Sequence, residues 1–223
     1  MASASAIELL PDPEALARRA AAFVAEQARA AVADHGQFTF AVSGGQTPWK
    51  MFAHLAEHEL PWGQTLIFQV DERVAKAGDP DRNLTHLLKS LPEHADSEIH
   101  AMPVEEDDLQ AAAVRYERTL PKHFDLVHLG LGTDGHTASL VPGDPVLDVS
   151  DRDVAVTLPY MGHRRMTLTY RVLNRAHLLL WLVTGADKAQ ALRRMRASDD
   201  SIPAGHVNRE RALIFADLAA GEQ

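Results

Sequence analysis

The stretch FTFAVSGGQTP, residues 38–48, combines an apolar strand, a glycine turn and the start of a helix. The apolar run FTFAV is typical of a buried strand, and the paired glycines after it let the backbone turn sharply. Thr47 followed by Pro48 is typical of a helix cap, and this helix is expected to run to about Glu59. The order of strand, turn and helix indicates an α/β unit.

The same alternation recurs along the chain. Asp12, Pro13 and Glu14 provide a cap, a first-turn proline and a first-turn acid, so the first helix is expected there. Further helices are predicted at about residues 107–120 and 186–197. Further strands are predicted at about residues 65–70, 124–129, 154–157, 166–170, 178–183 and, closing the sheet, 212–217. This pattern predicts one α/β domain over residues 1–223, a three-layer, Rossmann-like α/β/α arrangement with a mostly parallel sheet and helices on both faces.

The composition narrows the class of protein. The 223 residues include no cysteine, which excludes disulfides and thiol catalysis and fits a reducing compartment. The formal net charge of −9 disfavours nucleic acids and anionic membranes as partners. The sequence has no basic leader and no uninterrupted apolar run of ~18 residues, so we expect neither a signal peptide nor a membrane helix. A cytoplasmic protein is therefore predicted.

Four distinctive segments each follow a predicted strand. In α/β sheets, ligands bind beyond the carboxyl ends of the strands, so these segments are expected to meet at one site. They are Ser43 to Gly45, Asp71 to Arg73, Gly130 to His136 and Thr184 to Lys188.

The segment SGGQTP can bind a phosphate. Gly44 and Gly45 allow the backbone to approach a ligand closely, and a helix N-terminus offers unpaired N–H groups. Ser43 and Thr47 add hydroxyl groups. The alternative is an ordinary turn from strand to helix with a threonine cap, and the pattern alone does not decide between the two.

Several cations stand at the same predicted edge. Arg73, beside Asp71, can bind a carboxylate or phosphate at two points, although for an isolated DER a surface salt bridge between neighbours is the favoured explanation. Arg164 and Arg165 lead into a strand and can complete an anion site. Lys188 lies in the first turn of a helix, where a cation is unfavourable unless it reaches a bound anion or extends into solvent.

The glycine-rich stretch LGLGTDGHTASLVPG, residues 129–143, contains the candidate catalytic histidine. An unperturbed imidazole titrates near pH ~6.5, so His136 can act as a base at neutral pH. Asp134 can supply it with a hydrogen bond or a charge. A structural role and metal binding are the alternatives, but no HxxxH-like partner accompanies His136, so no metal is predicted.

Together, these motifs resemble the 6-phosphogluconolactonase family and, more loosely, the related glucosamine-6-phosphate deaminases. The matching segments occur in the family's order from about residue 42 to residue 192. They are SGGQTP, VDERVAK with DRN, LGLGTDGHTASLVPG, RRMTLTYRVLNRA and VTGADKAQAL, and IPAGHV follows near the end.

The resemblance implies hydrolysis of 6-phosphogluconolactone to 6-phosphogluconate in the oxidative pentose phosphate pathway, without a cofactor. It also implies roles for individual residues: His136 as the catalytic histidine, Ser43, Gly44 and Gly45 as the phosphate loop, Arg165 and Lys188 as phosphate partners, and Asp71 and Arg73 on the sugar side. From the residues themselves, we add Asp134 to the catalytic group and Thr47 to the phosphate site. Arg73 or amides of the glycine-rich loop are candidates for stabilising the oxyanion. We expect a monomer or a weak homo-oligomer.

The sequence departs from the family pattern in three places. Arg82 replaces a usual serine, Val141 replaces a usual phenylalanine, and PYMGHR replaces paired prolines before Arg165. The deaminase alternative is disfavoured because deaminases carry FNEP after the DGH core, whereas SLVPG here has no glutamate. A sugar-phosphate sensor without turnover is the third alternative, and the presence of both His136 and Asp134 argues against it.

Overall fold

A parallel sheet of seven strands forms the centre of the molecule. The structure is a computed structural model that describes residues 6–92 and 95–221. In chain order, the strands of this sheet are β1 (Ala6–Leu10), β2 (Phe38–Val42), β3 (Thr65–Gln69), β5 (Glu98–His100), β6 (Leu126–Leu129), β9 (Leu179–Val183) and β10 (Ala212–Asp217). Their spatial order is β1-β10-β9-β6-β2-β3-β5, and every neighbouring pair is parallel. This arrangement confirms the predicted α/β class.

Helices cover both faces of the sheet. They are α1 (Pro13–His35), α2 (Gln46–Leu55), α3 (Asn83–Ser90), α4 (Leu109–Glu117), α5 (Tyr170–Leu173), α6 (Ala189–Arg196) and α7 (Leu218–Gly221). Alternate residues of one strand enter different cores, because successive side chains point to opposite faces of a sheet. Leu180 packs with the core beneath α1 and α2, whereas Trp181 belongs to the core on the opposite face. The sheet is therefore buried on both sides, as the three-layer prediction requires.

The first helix begins where the sequence predicts, and its end has a local explanation. The Asp12 carboxylate accepts hydrogen bonds from the amides of Glu14 and Ala15, which satisfies two of the unpaired donors of the first turn. Gly36 ends the helix in the left-handed region, with φ of 87°.

A second, antiparallel sheet of three strands corrects part of the strand prediction. It contains β4 (Asp71–Arg73), β8 (Arg165–Leu168) and β7 (Val154–Val156), in that spatial order. The predicted strands near residues 154–157 and 166–170 therefore do not join the main sheet, and β4 was not predicted as a strand. This small sheet brings Arg73 opposite Arg165.

The edge of the main sheet also differs from the prediction. Strand β10 does not close the sheet, because β1 pairs with its outer side. Residues 1–5, on which the prediction of no signal peptide partly rests, lie outside the described residues, as do 93–94 and 222–223 of the predicted domain. None of the helices in the part that the structure describes is long and apolar enough to span a membrane.

Candidate active site

A cleft of about 170 Å³ opens at the carboxyl ends of β2 and β6. Seven of the residues singled out in the sequence line it: Ser43, Gly44, Asp71, Arg73, His136, Arg165 and Lys188. Gly45 and Thr47 line an adjoining cavity of about 400 Å³ that shares Gly44 and Lys188 with the cleft. The four predicted segments thus converge on one edge of the sheet.

Backbone contacts in the glycine-rich loop fix the position of His136. The Gly132 amide donates to the His136 carbonyl at 2.8 Å, and the Gly135 amide donates to the Gly132 carbonyl at 3.0 Å. A Cβ atom at Gly132 would lie only 2.1 Å from His136 Nδ1, so no larger residue fits beneath the imidazole without displacing it. Outside the loop, Ile202 packs against Gly135, and the Ala204 amide donates to the Gly135 carbonyl. The IPAGHV segment therefore supports the loop from behind.

Asp134 orients the imidazole of His136. The Nδ1 atom of His136 lies 2.6 Å from Asp134 Oδ1, and the two side chains are 26% and 35% exposed. Partial burial opposes ionisation of Asp134, but hydrogen bonds from the His136 amide and imidazole and from the Tyr160 hydroxyl outweigh it and lower the pKa of the carboxyl. Because a carboxylate only accepts hydrogen bonds, Nδ1 carries the proton and Nε2 keeps the lone pair that a general base needs.

The start of α2 corrects the helix cap that the sequence predicts in the phosphate loop. Gly45, with φ of 129°, is the N-cap and makes no side-chain cap, whereas the predicted cap Thr47 lies within the helix. The Thr47 hydroxyl instead hydrogen-bonds the Thr184 hydroxyl at 2.9 Å, across the adjoining cavity. The predicted threonine cap was therefore wrong, because Gly45, whose positive φ favours glycine, starts the helix two residues earlier.

Ser43 turns both of its donors away from the cleft. Its amide donates to His128 Nδ1 at 3.3 Å, and its hydroxyl donates to the His128 carbonyl at 3.0 Å. Within residues 6–92 and 95–221, the structure gives no acceptor for the amides of Gly44 and Gly45. The donors that this loop can offer an anion are therefore those of the two glycines rather than those of Ser43.

Three cations reach the cleft from different elements. Arg165 is 6% exposed, and burial lowers its pKa, an effect that the nearby Asp71 charge partly offsets. Lys188 Nζ lies 3.5 Å from Asp187 Oδ2, and its side chain is about a quarter exposed. Arg164, the other predicted cation of this segment, is exposed and does not line the cleft. The positive charge is therefore concentrated at Arg165, Lys188 and Arg73.

Arg73 is held by hydrogen bonds rather than by a surface salt bridge. Its Nη1 donates to the Asp81 carbonyl at 2.7 Å and to Asn83 Oδ1 at 2.8 Å. Asn83 also donates to the Asp71 carbonyl at 2.9 Å, and it was not singled out from the sequence. Among the residues that the structure describes, no carboxylate pairs with this guanidinium, which lines the cleft.

The model of the family described as glucosamine-6-phosphate isomerases/6-phosphogluconolactonase matches residues 11–215. A 6-phosphogluconolactonase from Synechocystis sp. is 35% identical over 233 residues, covering 97% of each chain. The chain belongs to this family.

Two solved structures share the fold of this chain. A 6-phosphogluconolactonase from Shewanella baltica matches with a TM-score of 0.88 at 24% identity, over 97% of this chain and 99% of the other. A monomeric glucosamine-6-phosphate deaminase matches with a TM-score of 0.83 at 19% identity, over 96% of this chain and 98% of the other. The fold of the family therefore serves both activities, and the site must distinguish them.

One departure from the family pattern has a clear structural explanation. Arg82 is 2% exposed, and its Nε lies 3.1 Å from a carboxylate oxygen of the fully buried Glu72. Its Nη1 reaches Glu105 at 2.7 Å. Glu72 also accepts the amides of Asn83 and Leu84, so it caps α3 directly beside the cleft. Arg82 thus neutralises a buried charge, whereas nothing in the structure explains why Val141 replaces phenylalanine.

Proposed function

We propose that this protein hydrolyses 6-phosphogluconolactone to 6-phosphogluconate. The observation that carries the proposal is that one cleft joins a carboxylate-paired histidine to an anion-binding cluster of Arg165, Lys188 and the Gly44 backbone just before α2. Membership of the family supports it, as does the name of the Synechocystis relative. The absence of cysteine favours the reducing cytoplasm as its location, and we propose a monomer or weak homo-oligomer.

The phosphate of the substrate would bind where the cleft meets the adjoining cavity. Lys188 and Gly44 line both spaces, so an anion there is within reach of a cation and of unpaired backbone donors. The positive end of the α2 dipole adds to this attraction. Binding energy from the phosphate then holds the distant lactone ring in place for reaction.

His136 would act as the general base on water. Its Nε2 lone pair removes a proton as the water oxygen bonds to the lactone carbonyl carbon. The bond from that carbon to the ring oxygen then breaks, and the proton returns to the leaving oxygen, which gives a carboxylic acid and a free hydroxyl group. Such a base contributes typically ~10²–10⁴-fold to the rate.

Arg73 is our proposed stabiliser of the negative charge that develops on the carbonyl oxygen. Among the loop amides, which are the other candidates, those of Gly132, Gly135 and His136 already donate hydrogen bonds within the loop. The guanidinium of Arg73 lines the cleft and is held in place by Asn83 and the Asp81 carbonyl. A donor fixed in advance stabilises a developing charge without a reorganisation cost.

The segment after His136 favours the lactonase over the deaminase. It contains no glutamate, and the Ser139 hydroxyl donates to Asp71 at 2.6 Å, so it is already engaged. An amine-releasing reaction would lack the acid that FNEP supplies in deaminases.

A direct assay tests the proposal. Freshly generated 6-phosphogluconolactone is mixed with the enzyme, and spontaneous opening is subtracted, with gluconolactone and glucosamine 6-phosphate as parallel substrates. We expect fast hydrolysis of the phosphorylated lactone, much slower hydrolysis of the unphosphorylated one and no ammonia release from the amino sugar. Ammonia release would assign the deaminase reaction, and tight lactone binding without turnover would assign a sensor.

A further inference from the structure

The turn that joins β7 and β8 is a tight hairpin beside the cleft. The amides and carbonyls of Tyr160 and His163 are paired with each other, at 2.9 and 3.3 Å. Between them, Met161 and Gly162 both have positive φ, 50° and 84°, as in the two-residue turn that matches the twist of paired strands. The hairpin therefore presents Tyr160 at a fixed position next to the loop that carries His136.

Tyr160 contacts both halves of the candidate site. Its hydroxyl donates to Asp134 Oδ2 at 3.1 Å, while the other oxygen of that carboxylate binds His136. Its ring meets the His136 ring edge-on, with centroids 5.6 Å apart and an interplanar angle of 67°. The Arg165 guanidinium lies over the same ring at 5.2 Å.

We infer that Tyr160 is a positioning residue that holds the Asp134–His136 pair in register with Arg165. The inference rests on the proposed function and extends it to a residue that does not line the cleft. It arises from PYMGHR, one of the three departures from the family pattern.

The tyrosine acts through the carboxylate. One carboxylate oxygen of Asp134 is hydrogen-bonded to Tyr160 and the other to His136, so the carboxylate cannot rotate freely. The fixed carboxylate in turn fixes the orientation of the imidazole. The donated hydrogen bond also draws charge away from the oxygen that faces His136. Partial burial and Asp134 both raise the pKa of Tyr160, so its hydroxyl keeps its proton and remains a donor at neutral pH.

Other charges around His136 stay in place when Tyr160 is altered. The charged and titratable side chains that line the cleft with His136, or contact it directly, are Asp134, Tyr160, Arg165, Lys188, Arg73 and Asp71. Replacing only the hydroxyl of Tyr160 leaves the charged groups of the other five side chains in place.

Tyr160→Phe tests the inference because it removes the hydroxyl and keeps the ring. Without the donor, Asp134 carries more negative charge and stabilises the protonated imidazole better. We expect the acid limb of kcat/KM, and the NMR titration midpoint of the His136 ring, to move upward by ~0.4–1 pH unit, as one net hydrogen bond allows. The KM for the lactone should stay unchanged.

Tyr160→Leu also removes the ring from Arg165. It should show the same pH shift and, in addition, inhibition by inorganic phosphate weakened by about two- to fivefold. Two controls separate these effects from general damage. Met161→Ala changes the exposed tip of the same hairpin, and Thr119→Val removes a hydroxyl that donates to the Tyr116 carbonyl just after α4, away from the cleft.

Neither control should move the acid limb or the NMR midpoint. If Tyr160→Phe behaves like the unaltered protein, or if Met161→Ala shifts the limb equally, the inference is overturned. The NMR titration needs no turnover. Absence of lactone hydrolysis by the unaltered enzyme would therefore refute the proposed function, while the midpoint still reports on the coupling.

Discussion

His128 lies in strand β6 and His136 in the loop that follows it, yet their surroundings differ sharply. His128 lies in β6, is fully buried, and accepts a hydrogen bond from the Ser43 amide. Burial lowers its pKa from the ordinary 6.5 to about 3, so it stays neutral. His136 is a quarter exposed, lines the cleft and binds a carboxylate.

The difference shows that surroundings, not residue type, separate a structural histidine from a candidate base. A neutral buried imidazole is suited to hold the Ser43 backbone, because charging it would require desolvating a cation without a partner. An imidazole beside Asp134 can accept a proton during a reaction, because the carboxylate stabilises the resulting charge. Three substitutions test this contrast.

The largest expected effect is on activity, in His136→Ala. Loss of the base should lower kcat ~10²–10⁴-fold, with a much smaller change in KM, because the phosphate site is untouched. Steady-state kinetics on the phosphorylated lactone measure it. Thermal unfolding should change little, since the side chain is partly exposed. A near-normal kcat would remove His136 from the role of base.

The next largest effect is expected in His128→Asn, which should change how the stability of the protein depends on pH. Between pH ~6.5 and ~3, the unfolded chain binds a proton at His128 that the folded protein does not, so falling pH destabilises the unaltered protein. The asparagine variant lacks this group. The variant is expected to be less stable than the unaltered protein, and this difference in the free energy of unfolding should shrink by about 2 kcal/mol between pH ~7.5 and ~5.

Urea unfolding of both proteins at the two pH values measures this change. Other titrating groups cancel in the difference between the two proteins. A deficit that stays constant with pH would mean that His128 can be protonated in the folded state, and the contrast with His136 would fail.

The fold was predictable from the sequence because local pattern decided it. The run FTFAV and the later apolar strands alternate with helices that carry their own caps, as at Asp12. Strand β1 was missed because it is short and lies at the edge of the sheet. Its residues are exposed or only partly buried there, so they show no clear alternation of apolar and polar residues. The small antiparallel sheet was missed because β4 is three residues long and pairs with a distant segment.

The site was predictable only where its residues share a motif or follow a strand. His136, Asp134 and Lys188 could be chosen in this way. The roles of His128 and Tyr160 depend on contacts between segments distant in sequence, Ser43 for the one and Asp134 for the other. No local sequence pattern marks these two residues in the way that a capping aspartate marks the start of α1 at Asp12. Their roles can therefore be seen only in the folded structure.

The smallest effect of the three is expected from Asp134, which makes His136 differ from His128. Asp134→Asn removes the charge that stabilises the imidazolium, and kcat should fall about ten- to thirtyfold. The loss is smaller than for His136→Ala because Asp134 is about one-third exposed, so water replaces part of its interaction. The pKa of Asp134 is lowered, so the acid remains ionised throughout the pH range of the assay.

Asp134→Ala distinguishes the charge of Asp134 from its orienting hydrogen bond, since the asparagine oxygen can still accept a hydrogen bond from His136 Nδ1. A greater loss of kcat in the alanine variant assigns part of the effect to orientation of the imidazole, and equal losses assign the effect to charge. Full activity in both variants would mean that Asp134 does not matter, and the two histidines would then differ only in their burial.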